Sequence, residues 1–384
     1  MIRLLLPLLL LLQAEGLLER ADEAFRAGEL EKAATLARQA IARDPSAVHG
    51  HMILGVIAAQ KNQWEVSTGH FLTILRLEPS NPFGYFYLGQ AKLYQQQWAQ
   101  AVNYLTKAME RQYPDRERLI VELAMAQNEA GNPQQALKTL ALMEPPADAR
   151  PGAQYFGVTA FAQGKLGRLS EAAENVRRAI QRDDSNVHYW DFLVDVLIKT
   201  DQAPQALAEA IRAQRKFPDD ADTQFLFALA SHHVVESPLS KLALRNLREA
   251  APDDARVPLA EGLVYRKQGK TEEAISAFQR AAQQGAADAH LLLGIVYKEN
   301  GDYAAAEREY REAERRNPAS AQLMLELGKL YFARGELDLA RQRLEKAVDL
   351  APDASTAHYQ LGLLYRRLGE TEKAKEHLGK SKQP

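Results

Sequence analysis

The sequence of 384 residues contains no cysteine, and it has only three tryptophans and six methionines. The absence of cysteine excludes disulfide bonds, cysteine-ligated zinc and thiol catalysis, and it suits an oxidising compartment. No excess of one charge is present either, because 48 basic and 50 acidic side chains leave a formal net charge of −2. We therefore expect neither a nucleic-acid-binding surface nor a surface for anionic membranes.

Long apolar runs are also missing, apart from Leu4–Leu12 near the N-terminus. This stretch is too short for a transmembrane segment, which needs about 20 apolar residues. It follows Arg3 and precedes the small residue Ala14, which is the pattern of a short secretory signal. We therefore predict a signal peptide over residues 1–14 and export from a bacterial cytoplasm to the periplasm or the outside, with Glu15 as the new N-terminus. The alternatives are an apolar cap on the first structural unit and a cytoplasmic protein.

No set of residues forms a recognisable active site. Gly269-Lys270-Thr271 looks like the end of a phosphate-binding loop, but Val264 stands where that loop needs an earlier glycine. His232-His233 is the only adjacent histidine pair, and neighbouring helical residues point about 100° apart, whereas a metal site needs three or four converging donors. We therefore predict no enzymatic activity, no cofactor and no metal.

What the sequence does contain is a small residue that returns about every 34 positions. A period of this length predicts a solenoid of stacked units, each of which buries its apolar surface against its neighbours. The series runs through Ala33, Ser67, Ala101, Ala136, Ala172, Ala206, Ser240, Ala274, Ala306, Ala340 and Ala374.

Each unit divides into two amphipathic stretches of about 12 to 14 residues with the helical period. A glycine or an asparagine such as Asn62 separates the stretches, because it can adopt positive φ and end a helix. A proline such as Pro318 closes most second stretches, since it cannot continue the helical hydrogen bonds. Two helices approach closely only where side chains are short, so we expect Gly294 and Ala306 to meet, with Tyr310 filling the space beside them.

The best-formed unit carries the whole pattern between Ala287 and Ser320. It contains Leu293-Gly294, Tyr297, Gly301-Asp302-Tyr303, Ala306, Tyr310, Ala313 and Pro318. This pattern resembles the tetratricopeptide repeat (TPR) family, and the resemblance implies an all-α protein, a right-handed α-solenoid of about eleven stacked helix-turn-helix units. The expected superhelix covers residues 15–384, in units of about 14–47, 48–81, 82–116, 117–152, 153–186, 187–220, 221–254, 255–286, 287–320, 321–354 and 355–384.

Two units depart from the pattern. In the seventh unit, Pro238 stands where the second helix should begin and no turn glycine is present. The fifth unit lacks the closing proline and has Asp183-Asp184 instead. We expect local irregularity at both places without a change of fold.

In TPR proteins the first helix of each unit lines the concave surface. The resemblance therefore implies that the second, fifth, ninth, twelfth and thirteenth residues of each unit face inward. Apolar and aromatic residues in such a groove favour an amphipathic helix or an extended peptide as ligand. The residues chosen on this basis in the second and third units are Met52, Phe83, Phe86, Gln90 and Tyr94. The alternative is that residues such as Phe86 pack into the neighbouring unit.

Basic residues occupy the same inward positions closer to the C-terminus. A strip of this kind would accept acidic side chains or a carboxylate from a partner. Ordinary solvation of the charges is the alternative. The residues concerned are Arg266, Lys267, Lys298, Arg366 and Arg367.

These observations together predict a non-enzymatic scaffold that binds a protein or a peptide segment in the concave groove of the solenoid. No nucleic acid and no transmembrane segment are expected. The alternative is a regulatory or targeting subunit of an enzyme complex, such as a glycosyltransferase or a secretion or assembly machine. Weak self-association through the C-terminal repeat is also expected, because no additional solvating helix follows it.

Overall fold

The computed structural model describes residues 2–234, 238–352 and 354–381, with the backbone alone for residues 2–12 and 232–234. Over these ranges the chain forms 22 α-helices and no β-strand. Ten of the odd-numbered helices pack against the helix that follows them, and the predicted all-α solenoid is confirmed. The His232-His233 side chains lie outside the described part.

Contacts divide the chain into two compact units, Met1–Tyr189 and Trp190–Pro384. The first unit holds five helix pairs and the beginning of α11. Its helices are α1 (Ile2–Arg26), α2 (Leu30–Arg43), α3 (Val48–Gln60), α4 (Trp64–Leu77), α5 (Pro82–Tyr94), α6 (Trp98–Glu110), α7 (Arg116–Glu129), α8 (Pro133–Leu140), α9 (Ala149–Lys165), α10 (Leu169–Arg182) and α11 (Val187–Lys199).

The second unit contains most of α11 and the helices after it. Here too, consecutive helices pack as pairs. They are α12 (Ala203–Lys216), α13 (Ala221–Val234), α14 (Pro238–Ala250), α15 (Arg256–Lys267), α16 (Thr271–Gln283), α17 (Ala289–Glu299), α18 (Tyr303–Arg316), α19 (Ala321–Arg334), α20 (Leu337–Leu350), α21 (Ser355–Arg367) and α22 (Thr371–Lys380).

The N-terminal helix α1 is one continuous helix and is the first helix of the first pair. Leu17, Ala21 and Ala24 of α1 are buried and belong to one core cluster with residues of α2. The residues after position 14 therefore supply packing for the first pair. Across the described chain, no helix combines the length and the apolar character that crossing a membrane requires.

Close contact between the two helices of a pair depends on a residue without a side chain. A Cβ atom added to Gly294 would lie 2.4 Å from the Tyr310 ring, which is itself fully buried. Ala306 is fully buried beside it in the same cluster. A leucine takes the place of the tyrosine in the third pair, where a Cβ on Gly89 would lie 2.5 Å from Leu105. The expected packing of Tyr310 beside Gly294 is confirmed.

The turn within a pair needs one residue in the left-handed region. Gly301 has a φ of 80° and Asn62 a φ of 57°, as the sequence pattern predicts. Gln96 and Asp201 adopt the same conformation at the turns of their own pairs, with φ of 58° and 56°. Gln96 stores a small strain, because residues other than glycine, asparagine and aspartate rarely adopt positive φ.

The loop between successive pairs is held by a polar side chain near the start of the next first helix. In three pairs this side chain makes a hydrogen bond to the backbone carbonyl of the proline six residues earlier. The sequence pattern did not predict this hydrogen bond. The bonds are Tyr85 Oη to Pro79 O (2.9 Å), Gln224 Nε2 to Pro218 O (2.9 Å) and His358 Nε2 to Pro352 O (2.7 Å).

The two departures from the repeat pattern have local solutions. Helix α14 begins at Pro238, where the first turn does not need the N–H that proline lacks. The residues immediately before it, 235–237, lie outside the described chain. After α10, the Asp183 carboxylate accepts hydrogen bonds from the Ser185 backbone N–H at 3.0 Å and from the Ser185 hydroxyl at 2.5 Å. A side-chain turn thus replaces the closing proline.

The contact at Gly294 can be tested with a matched glycine. Gly294→Ala should destabilise the α17/α18 pair by about 1–3 kcal/mol, because the new methyl group overlaps the Tyr310 ring. Gly69→Ala, on the exposed side of α4 where an added Cβ meets nothing within 4 Å, should stabilise its helix by about 0.5–1 kcal/mol. Hydrogen exchange of each helix pair measures both effects, and equal protection of α17 and α18 in Gly294→Ala and the wild type would contradict the close contact.

Candidate partner-binding surface

The first helices of the pairs form the inner side of each compact unit. Neighbouring first helices contact each other, as α3 and α5 do in the first unit and α19 and α21 in the second. Over the described residues, neighbouring second helices do not make comparable contacts. Each unit therefore curves towards its first helices, and the residues predicted to face inward can be located on them.

A partly exposed aromatic surface lies along α5. Tyr94 is 58% exposed, and its ring stacks on Trp64 of α4 with centroids 4.5 Å apart. Phe83, at the other end of α5, is half-buried and meets Tyr113 edge to face at 5.3 Å. Met52 of α3 is half-buried against the adjacent core. We call Met52, Phe83 and Tyr94, with Gln90 described below, the aromatic face.

Phe86 does not belong to this face, and its prediction as a groove residue is wrong. Its exposed fraction is 0%. The ring stacks on Tyr113 at 4.1 Å and lies under the Arg118 guanidinium, 5.0 Å away. It fills the space between successive pairs together with residues such as Leu119, as the alternative reading of this position proposed.

Gln90 joins two neighbouring first helices through a buried carboxylate. Its Nε2 donates to Oε1 of Glu122 at 2.9 Å, and Nε of Arg118 donates to the same oxygen at 3.0 Å. The second oxygen, Oε2, is buried without a hydrogen-bond partner. Burial raises the pKa of Glu122 even though Arg118 and Gln90 oppose that shift. One Gln90 amide N–H is thus committed to Glu122, and the carbonyl oxygen and the second N–H remain to meet a ligand.

In the second unit, two of the predicted basic residues are matched by carboxylates instead of forming an open strip. Arg266 of α15 forms a bidentate salt bridge with Glu299 of α17, in which Nε donates to Oε2 at 2.9 Å and Nη2 donates to Oε1 at 2.6 Å. Lys298 of α17 pairs with Glu326 of α19, which also accepts from Lys329 at 2.8 Å. These contacts link successive first helices, and we call them the ion-pair ladder.

The remaining basic residues do not converge on one site. Lys267, Arg366 and Arg367 are all exposed at the C-terminal ends of α15 and α21. The Arg367 guanidinium lies 5.2 Å from the centre of the Phe332 ring, so part of its surface is used in a cation–π contact within the chain. These three cations belong to the second unit, whereas the aromatic face belongs to the first.

A depression on the second unit is lined by arginines but is largely neutralised. Tyr303, Arg308 and other residues of α18 line it together with Arg334. Glu307 accepts hydrogen bonds from Arg311 at 2.7 Å and from Arg334 at 2.6 Å within it. Among the described residues, no three histidine, aspartate or glutamate side chains could together hold a metal ion.

The architecture defines a solenoid of helical pairs, a class typical of protein-interaction scaffolds. The sequence profile of the tetratricopeptide repeat matches residues 18–82, 87–153, 238–289, 291–354 and 325–378. The chain therefore belongs to the tetratricopeptide repeat family.

Two solved structures are similar in fold. One, titled as the APC/C hetero-tetramer Cut9-Hcn1, shares 12% identity over 94% of this chain and 85% of its own, with a TM-score of 0.51. The other, a tetratricopeptide repeat protein from Parabacteroides merdae, shares 15% identity over 65% of this chain and 98% of its own, with a TM-score of 0.54. No curated protein matches the sequence significantly.

The ion-pair ladder predicts that Glu326 stabilises the second unit. Burial alone raises the pKa of Glu326, but Lys298 and Lys329 outweigh it and lower that pKa below 4.5. Its contribution to stability is therefore complete above about pH 4.5 and is lost as the pH falls through the lowered value. Glu326→Gln should cost about 1–3 kcal/mol at neutral pH, since Lys298 is left buried without its carboxylate.

Glu372→Gln is the matched control for this prediction. Glu372 pairs with Lys375, but its side chain is 87% exposed, so the change should stay within about 0.5 kcal/mol. Urea unfolding followed by circular dichroism compares the two variants at pH 7. Equal midpoints for Glu326→Gln and Glu372→Gln would show that the ladder adds no stability.

Proposed function

We propose that this protein is a non-enzymatic scaffold that binds an apolar peptide segment of a partner protein on the aromatic face of its first unit. The observation that carries the proposal is the exposure of Tyr94, 58% of whose surface faces solvent although the ring is already held in place by Trp64. A pre-ordered aromatic ring loses little conformational entropy on binding.

The chemistry of the face favours a segment with apolar or aromatic side chains. Phe83 and Tyr94 stand near opposite ends of α5, a helix of 13 residues, so their Cα atoms are separated by about 16 Å at 1.5 Å per residue. The ligand is expected to present two apolar anchors at this separation. The Gln90 carbonyl lies in sequence between them and would accept one N–H from the ligand.

The inner side of the second unit is a weaker candidate for this segment. Arg266 and Lys298 already have carboxylate partners there, and a ligand would have to replace those contacts. Burying one aromatic side chain of a ligand against the face is worth about 1.5–3 kcal/mol. Two anchors then give a moderate affinity, suited to reversible docking.

A peptide selection with the full-length chain tests the proposal. Peptides selected from a random phage-displayed library would be synthesised and titrated by calorimetry against the wild type, Phe83→Ala and Tyr94→Ala. Each variant should weaken binding by about tenfold or more, because each removes one anchor. Tyr359→Ala is the matched control, since Tyr359 is 47% exposed on α21 of the second unit, and it should leave the affinity unchanged.

Two outcomes would overturn this assignment. Unchanged affinity in both Phe83→Ala and Tyr94→Ala, with unchanged circular dichroism, would remove the aromatic face as the binding site. A loss of affinity confined to Tyr359→Ala would move the site to the second unit. Recovery of a catalytic protein as a stable stoichiometric partner would favour the alternative, a regulatory or targeting subunit of an enzyme complex.

We further propose that residues 1–14 are a signal peptide and that the mature chain is exported. The order of Arg3, the apolar run Leu4–Leu12 and the small residue Ala14 supports this proposal, and the first helix pair keeps the contacts of Leu17, Ala21 and Ala24 after cleavage before Glu15. Mass spectrometry of the protein from its native source should find a peptide that begins at Glu15. A native peptide that begins at Met1 would contradict export by cleavage.

Self-association through the last helix pair also stays a proposal. The exposed Tyr359 ring supports it by offering apolar surface on α21. Light scattering at micromolar concentration should then give a mass above that of the monomer. A strict monomer would exclude this mode of assembly.

A further inference from the structure

One side-chain contact recurs inside several helix pairs, between the fourth residue of a unit and the residue 19 positions later. In the second pair it joins His51 to His70, whose Nδ1 atoms lie 3.0 Å apart. In the eleventh pair it joins His358 to His377, with Nδ1 atoms 2.8 Å apart. The same unusual pairing of two imidazoles thus stands at equivalent places in two repeats.

The hydrogen bonds around His358 fix how many protons this contact can hold. Nε2 of His358 lies 2.7 Å from the Pro352 carbonyl oxygen, and that oxygen can only accept, so Nε2 carries a proton. In the neutral ring Nδ1 is then an acceptor, and Nδ1 of His377 must donate to it. The contact is satisfied by a single proton between the two rings. Two N–H groups face each other only when both rings are charged, because the first added proton can bind Nε2 of His377 and leave the contact intact.

His51 faces His70 in the same way in the second pair, with its Nδ1 directed at that ring. A backbone interaction with Pro45, again six residues earlier, favours the charged form of its imidazole. The start of α3 is therefore tied to the second helix of its pair.

We propose that His51–His70 and His358–His377 are acid-sensitive clasps, which hold helix pairs α3/α4 and α21/α22 closed at neutral pH and loosen them when a second proton is added. This inference does not depend on the proposed peptide-binding function. It concerns the stability of two individual repeats, and other repeats serve as internal references.

The surroundings of the second pair reinforce the effect. Burial lowers the pKa of both His51 and His70 below 6.5. The cations that face them act in the same direction: Arg76 on α4 lowers the pKa of His51, and Arg38 on α2 lowers that of His70. The Pro45 hydrogen bond raises the pKa of His51 and opposes these effects only in part. A second proton is thus disfavoured on this pair.

The eleventh pair has a more mixed environment. Burial and the neighbouring His358 lower the pKa of His377, and Lys380 adds to this effect. Glu376 on α22 and Glu345 on α20 oppose it, and the net direction is still downward. The Tyr365 ring of α21 packs 5.5 Å from His377 and completes the surroundings. We expect this clasp to open less sharply than the one in the second pair.

The sign of the pH dependence follows from these directions. Each histidine with a lowered pKa binds fewer protons in the folded repeat than in the unfolded chain, so stability falls as protons are added. The clasps are therefore complete above about pH 6.5 and weaken as the pH falls through the lowered values. One pH unit below 6.5, each such histidine can shift the opening equilibrium by up to about tenfold.

A third repeat provides a control, because at the same position its histidine faces a carboxylate instead of a second imidazole. In the ninth pair the contact joins Nδ1 of His290 to a carboxylate oxygen of Glu309 at 2.7 Å. Protonation of His290 turns this contact into an ion pair instead of a repulsion. Helices α17 and α18 should therefore keep their protection at the pH where the clasps open.

Hydrogen exchange of the full-length protein at pH 7.5 and 5.5, corrected for the intrinsic exchange rates, tests the proposal. Peptides from α3/α4 and α21/α22 should lose protection at pH 5.5 by several-fold or more, while those from α17/α18 do not. His70→Gln and His377→Gln keep a hydrogen-bond donor without an ionisable ring. Each should reduce the pH effect in its own pair, because one titrating ring is removed, and leave the effect in the other pair unchanged.

Two results would overturn the inference. One is an equal loss of protection in all three pairs, and the other is an unchanged pH effect in the glutamine variants. Should a variant fail to fold at pH 7.5, ¹⁵N chemical shifts of the wild-type rings give an independent answer. The clasps predict the Nε2–H tautomer for His358, and a fully charged pair at pH 7 with an intact fold would exclude them.

Discussion

Close contact between the two helices of each pair is the constraint on which the rest of the structure depends. Wherever a first helix carries glycine opposite a ring or a leucine, as at Gly294 and Tyr310, the axes approach until a Cβ atom would not fit. In those pairs the approach sets the thickness of the pair and therefore the position of its first helix. The aromatic face and the ion-pair ladder both lie on first helices. Their positions therefore depend on the close approach that glycine allows within the pairs.

The two compact units use their inner sides differently, although they are built from the same repeat. On the first, Tyr94 is held by Trp64 and remains exposed, while Gln90 is tied to a carboxylate whose second oxygen lacks a partner. On the second, charged side chains such as Lys298 are used up in contacts between neighbouring helices. The same repeated backbone can therefore present an exposed aromatic side chain in one unit and ion pairs between neighbouring helices in the other.

The sequence predicted the helices, the turn residues and the close contact at Gly294, because these depend on local periodicity and on residues with few conformational options. It failed at Phe86, since whether an inward position is exposed depends on how far the next pair covers it. It also failed to identify the carboxylate partners of Arg266 and Lys298, which lie 33 and 28 residues away. Small shifts in the stacking of pairs decide such contacts, and periodicity alone does not encode them.

The ion-pair ladder has a mechanical consequence. Charged contacts between successive first helices act as struts on the inner side of the second unit. Ions shorten the range of electrostatic attraction from about 10 Å at 0.1 M salt to about 3 Å at 1 M, and part of the Arg266–Glu299 contact is open to solvent. The inner side of the second unit would then behave as a spring whose stiffness falls as the ionic strength rises.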